Sequence, residues 1–293
     1  MLLTCLALPG TAFGQGTAGT DLWRVAATTL PLPPALATGG AAAFWNPAQS
    51  DRGARSVLVF EAIETPSAIG ASGFVAVARV RAGKVGTIGA TYARMEIGDL
   101  VRTTFSPDPE PASIPFFTEV LGATWARDFG RTTLGATLGY HQTMLDNARD
   151  DRLTVDVGAR RALGRLRLAA ATHFFTRLSV NDPAQEIYAG LELEMWRGPL
   201  WINGPPTSVL TRYGVTVARG YGADHLLGAG LEVGQVFAAD VMVAREGSYG
   251  FPGWRPVAGV KVLVGKYRVS FARDGGVSGI GSAFRVGLEA RLP

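Results

Sequence analysis

The residues with the widest chemical range in this chain are His141, His173 and His225, and they sit on three separate segments. None forms a His-x-x-x-His pair or stands beside a cysteine, so metal-ligand spacing is absent. Cys5 is the single cysteine of the 293 residues, which excludes a disulfide scaffold and a zinc ribbon. Ser72, in Gly70-Ala71-Ser72-Gly73, and Ser278, in Gly276-Val277-Ser278-Gly279, lack the Gly-x-Ser-x-Gly spacing of a nucleophile elbow. A membrane hydrolase also needs a base and an orienting group beside its serine, and no such set is visible. Gly228-Ala229-Gly230 lacks the later glycine of a dinucleotide loop and lies in a strand pattern. Glu192 and Glu194 share a strand face, which alone makes no glycosidase pair. The expectation is a protein that is not an enzyme and takes no cofactor or metal.

The remaining charges therefore need a structural setting. Charged residues are 18% of the chain, below the figure of about 25% usual for soluble domains. The net charge of +4 comes from scattered arginines, with lysine only at Lys84, Lys261 and Lys266. Without clustering, this basic balance does not point to nucleic acid. Glycine is high, at 38 of 293 residues. That weakens long helices but suits a closed sheet with bends and close backbone approaches.

From Arg55 onward the hydrophobic period is two. Phe284, Val286, Leu288, Ala290 and Leu292 alternate with Arg285, Gly287, Glu289 and Arg291. Successive side chains of a strand point to opposite faces, so one face is apolar and the other charged. The same pattern predicts about 14 strands, near 55–64, 73–81, 85–95, 116–128, 132–142, 152–161, 165–176, 186–196, 207–219, 225–234, 236–245, 256–264, 267–273 and 280–292. Transmembrane strands need about 9–11 residues, and this set centres there. Tight turns at 81–84, 128–131, 162–164, 234–235 and 265–266 alternate with longer loops such as 96–115, 143–151 and 246–255. Short turns on one rim and long loops on the other are the habit of outer-membrane barrels. The fold expected is all-β: a transmembrane antiparallel up-and-down barrel in the bacterial outer membrane, both termini on the periplasmic rim.

In such a barrel the apolar face meets lipid, since an arginine there costs about 2–4 kcal/mol near the midplane. The lumen is then expected to hold Arg79, Arg81, Asp156, Arg160, Arg165, Arg167, Glu186, Glu192, Glu194, Arg212, Glu232, Arg268, Arg285, Glu289 and Arg291, paired across a narrow interior. His141 and His173 fall on the same side. Tyr140, Phe174, Phe175, Trp196, Trp201, Tyr213, Tyr221, Tyr249, Phe251 and Trp254 lie near strand ends, as interfacial girdles require.

Residues 1–14 read as an export signal: an apolar run, the Pro9-Gly10 break, then Ala12-Phe13-Gly14. Residues 15–54 form an N-terminal segment and 55–293 the barrel. The uncharged stretch between Arg24 and Asp51 carries Pro31, Pro33, Pro34 and Pro47, so it cannot cross a membrane as a helix. Small, uncharged and proline-rich, it suits a plug inside the barrel. Gly39-Gly40-Ala41-Ala42-Ala43-Phe44-Trp45-Asn46-Pro47-Ala48 resembles the signature that precedes the first strand in the FadL (long-chain fatty-acid transporter) superfamily. The final hairpin, 267–271 to 284–288, is similar to theirs. The resemblance implies a 14-stranded barrel whose plug motif is Phe44, Trp45, Asn46, Pro47 and Ala48. The chain is shorter than the fatty-acid transporters and its lumen reads as charged, closer to the PorV/PorQ barrels of secretion. The expected partners are outer-membrane lipid and either secretion-apparatus proteins or hydrophobic solutes, with no nucleic acid. The roles implied are secretion or transport, with a passive channel for hydrophobic molecules as the alternative and a membrane hydrolase as a remote third.

Overall fold

A computed structural model describes residues 20–38, 42–49, 54–67, 69–101, 113–176, 185–218, 222–246, 253–276 and 281–292. The expected leader at 1–14 lies outside them.

Fourteen strands form one closed sheet, each pairing antiparallel with its sequence neighbours, and β1 (Ser56–Glu64) closes against β14 (Ala283–Leu292). Between them run β2 (Ala71–Arg81), β3 (Thr87–Ile97), β4 (Phe116–Phe129), β5 (Thr132–Leu145), β6 (Ala148–Leu163), β7 (Leu166–His173), β8 (Glu186–Pro199), β9 (Pro206–Ala218), β10 (Ala223–Val233), β11 (Phe237–Glu246), β12 (Gly253–Val264) and β13 (Tyr267–Asp274). Closure removes the unpaired edges that lipid could not hydrate. The alternation sets which way each residue faces. In β1, Leu58 and Phe60 are each 50% exposed while Val57 and Val59 are buried. Leu121, Leu138, Val157, Leu227, Val241 and Leu288 are likewise exposed on the outer wall. Apolar patches on soluble monomers rarely exceed a few hundred Å², so an outer wall of this kind belongs in hydrocarbon.

Two details depart from the expected pattern. The 143–151 loop is a two-residue turn, because β5 and β6 continue to Leu145 and from Ala148, with Asp146 at φ +55°. Aspartate tolerates that left-handed conformation through local hydrogen bonding, so a short hairpin replaces the loop. Phe174 is not in a girdle. β7 ends at His173, and Phe174, at φ +55°, turns into the interior, where it is buried. Tyr140, Trp196, Trp201 and Trp254 are exposed on the outer wall or rim, whereas Tyr221, Tyr249 and Phe251 lie outside the described residues.

Candidate functional site: a filled lumen

The interior is occupied by the chain's own N-terminal segment. Helix α1 (Thr20–Thr28) is followed by a 3-10 turn (Pro34–Leu36) and a short helix α2 (Ala42–Trp45). Pro31 halts α1, since it offers no N–H and restricts the residue before it. Leu22, Trp23, Ala26, Leu30, Leu32, Leu36, Phe44 and Trp45 share one buried cluster with inward-facing Val57, Val59, Val75, Val77, Met95 and Val120 of β1 to β4. The segment runs from the long-loop end of the lumen toward the short-turn end. Trp23 donates its indole N–H to Thr118 near the top of β4 at 3.1 Å, while Gln49 lies low, beside Arg79 and Arg160.

Lumen-facing glycines make the room. A Cβ on Gly135 would stand 2.6 Å from the Ala48 nitrogen, and one on Gly158 would stand 2.9 Å from the same atom. Gly190, Gly214 and Gly259 lie likewise against Leu36, Pro33 and Pro31. Asn46 ties the motif together: its side-chain N–H donates to the Ala35 carbonyl at 2.7 Å, and its Oδ1 accepts from the Ala48 N–H at 2.9 Å. Phe44 packs on Trp23 and Trp45, each with ring centroids 4.9 Å apart.

The lumen charges divide into two groups. One group holds the segment. Arg285 donates to the Ala26 carbonyl at 2.6 Å, to Thr29 Oγ1 at 2.9 Å and to Glu61 at 2.6 Å. Arg79 donates to the Gln49 carbonyl, and Arg160 to Gln49 Oε1 at 2.8 Å. Glu186 lies 3.7 Å from Arg24 of α1 and accepts from Tyr188. The other group braces the wall. Glu192 lies between Arg167 (2.7 Å) and Arg212 (2.6 Å), and Glu289 accepts from Arg268 and Arg291. Asp156 accepts from the Phe174 N–H at 2.5 Å and lies 3.5 Å from His173 Nδ1. Glu194 and Glu232 face inward near the short-turn rim, Glu194 pairing with Arg197. Two expected lumen residues sit elsewhere. Arg165 is in the β6–β7 turn, where strand alternation no longer applies, and Arg81, the last residue of β2, lies at the rim; both are exposed.

Sequence reading missed Glu61, Asp240, Glu246, Arg255, Lys261, Asp274 and Arg24. Arg255 donates to the Thr28 carbonyl at 2.7 Å and pairs with Glu246 (2.7 Å) and Asp274 (3.2 Å); Lys261 donates to Thr38 Oγ1 at 3.0 Å. The alternation could have found them, but apolar Met242 and Ala244 share the inner face of β11 with Asp240 and Glu246 and blur the contrast.

The lumen is therefore two-sided. The β1–β4 wall is largely aliphatic where it meets the segment, whereas β8–β14 carries most of the paired charge. His141 and His173 are buried at the top, with Phe174 between them at 4.6 and 3.7 Å; His225 is outside, bonded to Tyr213 at 2.7 Å. Cavities beside the segment measure about 40 Å³ near Trp45 and Lys261, about 40 Å³ near Arg24 and Arg255, and about 20 Å³ near Thr38 and Glu289. A water needs roughly 10–15 Å³ on this kind of measure, so these spaces hold a few waters and no solute.

No family model and no curated protein matches the chain. Solved structures do. The toluene transporter TodX of Pseudomonas putida aligns with TM-score 0.54 at 10% identity, over 90% of this chain and 95% of that one. The toluene transporter TbuX of Ralstonia pickettii aligns with TM-score 0.51 at 11% identity, over 87% and 96%. The closed sheet of fourteen antiparallel strands and these alignments place the chain in one fold with the two transporters. At such identity the likeness concerns fold alone.

Proposed function

We propose that the protein is a non-enzymatic transport barrel in which residues 15–54 gate residues 55–293, and that it passes small apolar solutes across the outer membrane. Phe44, Trp45, Asn46, Pro47 and Ala48 form the seat of the gate, and Arg79, Arg160 and Arg285 are its latches. The carrying observation is the asymmetry of the lumen. The hydrogen bonds from Arg255, Lys261 and Arg285 hold the segment to the charged β12–β14 side. The β1–β4 side meets it mainly through dispersion contacts over Val57, Val59, Val75 and Val77, with the Arg79–Gln49 and Trp23–Thr118 hydrogen bonds at either end and, among the described residues, no ion pair to the segment. An uncharged solute entering on that side breaks no ion pair, whereas an ion would have to be desolvated against aliphatic side chains. The two toluene transporters of the same fold support that class of solute.

The test compares the full chain with a variant lacking residues 20–49, in planar bilayers and in vesicles loaded for uptake of radiolabelled toluene. The full chain is expected to show little steady ion current yet to accelerate toluene entry, and the deletion to conduct ions. A steady ion current through the full chain, or a deletion variant that stays closed, overturns the reading. A second reading is a closed docking barrel of the PorV/PorQ kind serving secretion. Among the described residues, the cavities beside the segment at Trp45, Arg24 and Thr38 are too small for a solute, which favours it. Full-length protein that excludes toluene as well as ions would select it.

A further inference from the structure

The outer wall near the long-loop rim carries two arginines whose surroundings are unlike those inside. Arg245 is exposed on the outer face of β11, opposite His225 of β10 and Trp254 of β12. Arg273, exposed on β13, donates to Ser282 Oγ at 3.0–3.1 Å and lies over the Phe284 ring. Among the described residues neither meets a carboxylate. The nearby acids are committed inside: Glu246 and Asp274 to Arg255, Asp224 to Arg24. The connections 247–252 and 275–282 contain no Asp or Glu, so the loops above supply none either. Arg245 stands eight residues above Phe237. For a strand rising about 3.3 Å per residue and tilted about 40°, that is roughly 20 Å, near the top of an apolar band about 25 Å tall.

Beside these cations is an apolar groove of about 610 Å³ on the outside of β10–β13, floored by Gly228 and Met242 and walled by Leu227, Val243, Pro256 and Arg273; Arg245 stands two residues beyond Val243 on the same face of β11. Small residues in the wall make it: Ala229 and Ala258 face outward on either side of Val241. A guanidinium at the hydrocarbon boundary without a protein anion is expensive to leave unpaired. A lipid phosphate at that level supplies the missing partner in a charge-assisted, bidentate-capable contact. We propose that β10–β13 form a specific site for a phosphorylated lipid of the outer leaflet, its acyl chain in the groove and its phosphate on Arg245 and Arg273. The site is independent of the gate and of what the lumen passes.

The experiment is native mass spectrometry of the full chain in detergent, titrated with lipid A and, separately, with diacylglycerol of matched chain length, which carries no phosphate. Lipid A is expected to bind at least about tenfold tighter, because each basic residue at a charged lipid surface contributes about 1 kcal/mol. The double substitution Arg245→Gln with Arg273→Gln should remove that preference. Ala258→Trp, which fills the groove and leaves both arginines, should weaken both lipids together. Arg149→Gln, which breaks an exposed pair with Asp151 on the β5–β6 hairpin, should change neither. Equal affinity for the two lipids overturns the proposal, as does full lipid A binding by the double variant. Displacement of lipid A by millimolar inorganic phosphate also overturns it, since a headgroup contact alone would then account for binding.

Discussion

If the N-terminal segment is the gate, its seat under β5 and β6 is the place to unsettle it. Gly135 and Gly158 leave no space for a methyl group: the added carbons would stand 2.6 and 2.9 Å from the Ala48 nitrogen, and the second also 3.0 Å from Pro47 Cδ. Ordinary carbon–nitrogen contact begins nearer 3.4 Å, and the Pro47 carbonyl and Asn46 Oδ1 stand closer to the added carbons than the Ala48 nitrogen does, so the Asn46-Pro47-Ala48 segment has to lift by about 1 Å. Overpacking of this kind costs about 1–3 kcal/mol per site. Both methyls press on the same three residues, so the effects are not additive, and about 3 kcal/mol is the working figure for Gly135→Ala with Gly158→Ala. At about 1.4 kcal/mol per tenfold, the ratio of displaced to seated segment should rise roughly a hundredfold. Single-channel recording reads this as open probability, and a heat-modifiability gel confirms that the barrel is closed. In the variant lacking residues 20–49 the same two substitutions should change nothing, because the atoms they strike are gone. A folded double variant that gates like the parent would refute the seating of the motif against these strands.

Other perturbations separate the seat from the latches and the wall. Arg285→Gln strips Glu61 of its cation and the Ala26 carbonyl of its donor, and should cost about 2–5 kcal/mol in urea unfolding. Adding Glu61→Gln should return part of that loss in a double-mutant cycle. Trp23→Phe keeps the ring but loses the hydrogen bond to Thr118, and is expected to cost about 0.5–1.5 kcal/mol and to raise open probability less than the glycine pair does. Leu138→Arg places a charge on the lipid face of β5, and should destabilise the barrel by about 2–4 kcal/mol when unfolding is followed from vesicles.

The strands were legible because a barrel wall obeys one rule along its whole length: alternate residues meet two different solvents. The structure has a strand at each of the fourteen positions the period indicated. The rule stops where the strand stops, which is why Phe174 and Arg165 were read on the wrong side. In β11 the inner face is itself mixed, and Asp240 went unread. Arg24 was read only as the end of an uncharged run. Its partners, Glu186 and Asp224, are distant in sequence and meet it only when α1 enters the lumen. Composition recorded the segment's presence without its path. The excess of glycine could be ascribed to bends and close approaches, but which glycines face the segment depends on how deep it sits.

That depth explains a pairing of features that looks contradictory in sequence. A charged lumen and a small, apolar, uncharged N-terminal stretch would repel one another if the charges pointed at its side chains. They meet its backbone and its few polar side chains instead, among them Gln49, Thr38 and Thr29. Arg285, Arg255 and Arg79 each donate to a main-chain carbonyl of the segment, at Ala26, Thr28 and Gln49. Two of these carbonyls stand at the end of α1, where the helix leaves acceptors unsatisfied. Little charge of its own beyond Arg24 is therefore needed: Arg79 of β2 holds only the low end at Gln49, and Arg285 and Arg255 hold α1 on the β12–β14 side. Its aliphatic and aromatic side chains remain free to cover the other. A lumen charged all round would have gripped the segment on every face; one with β1–β4 left aliphatic leaves a side on which it can part from the wall without separating an ion pair.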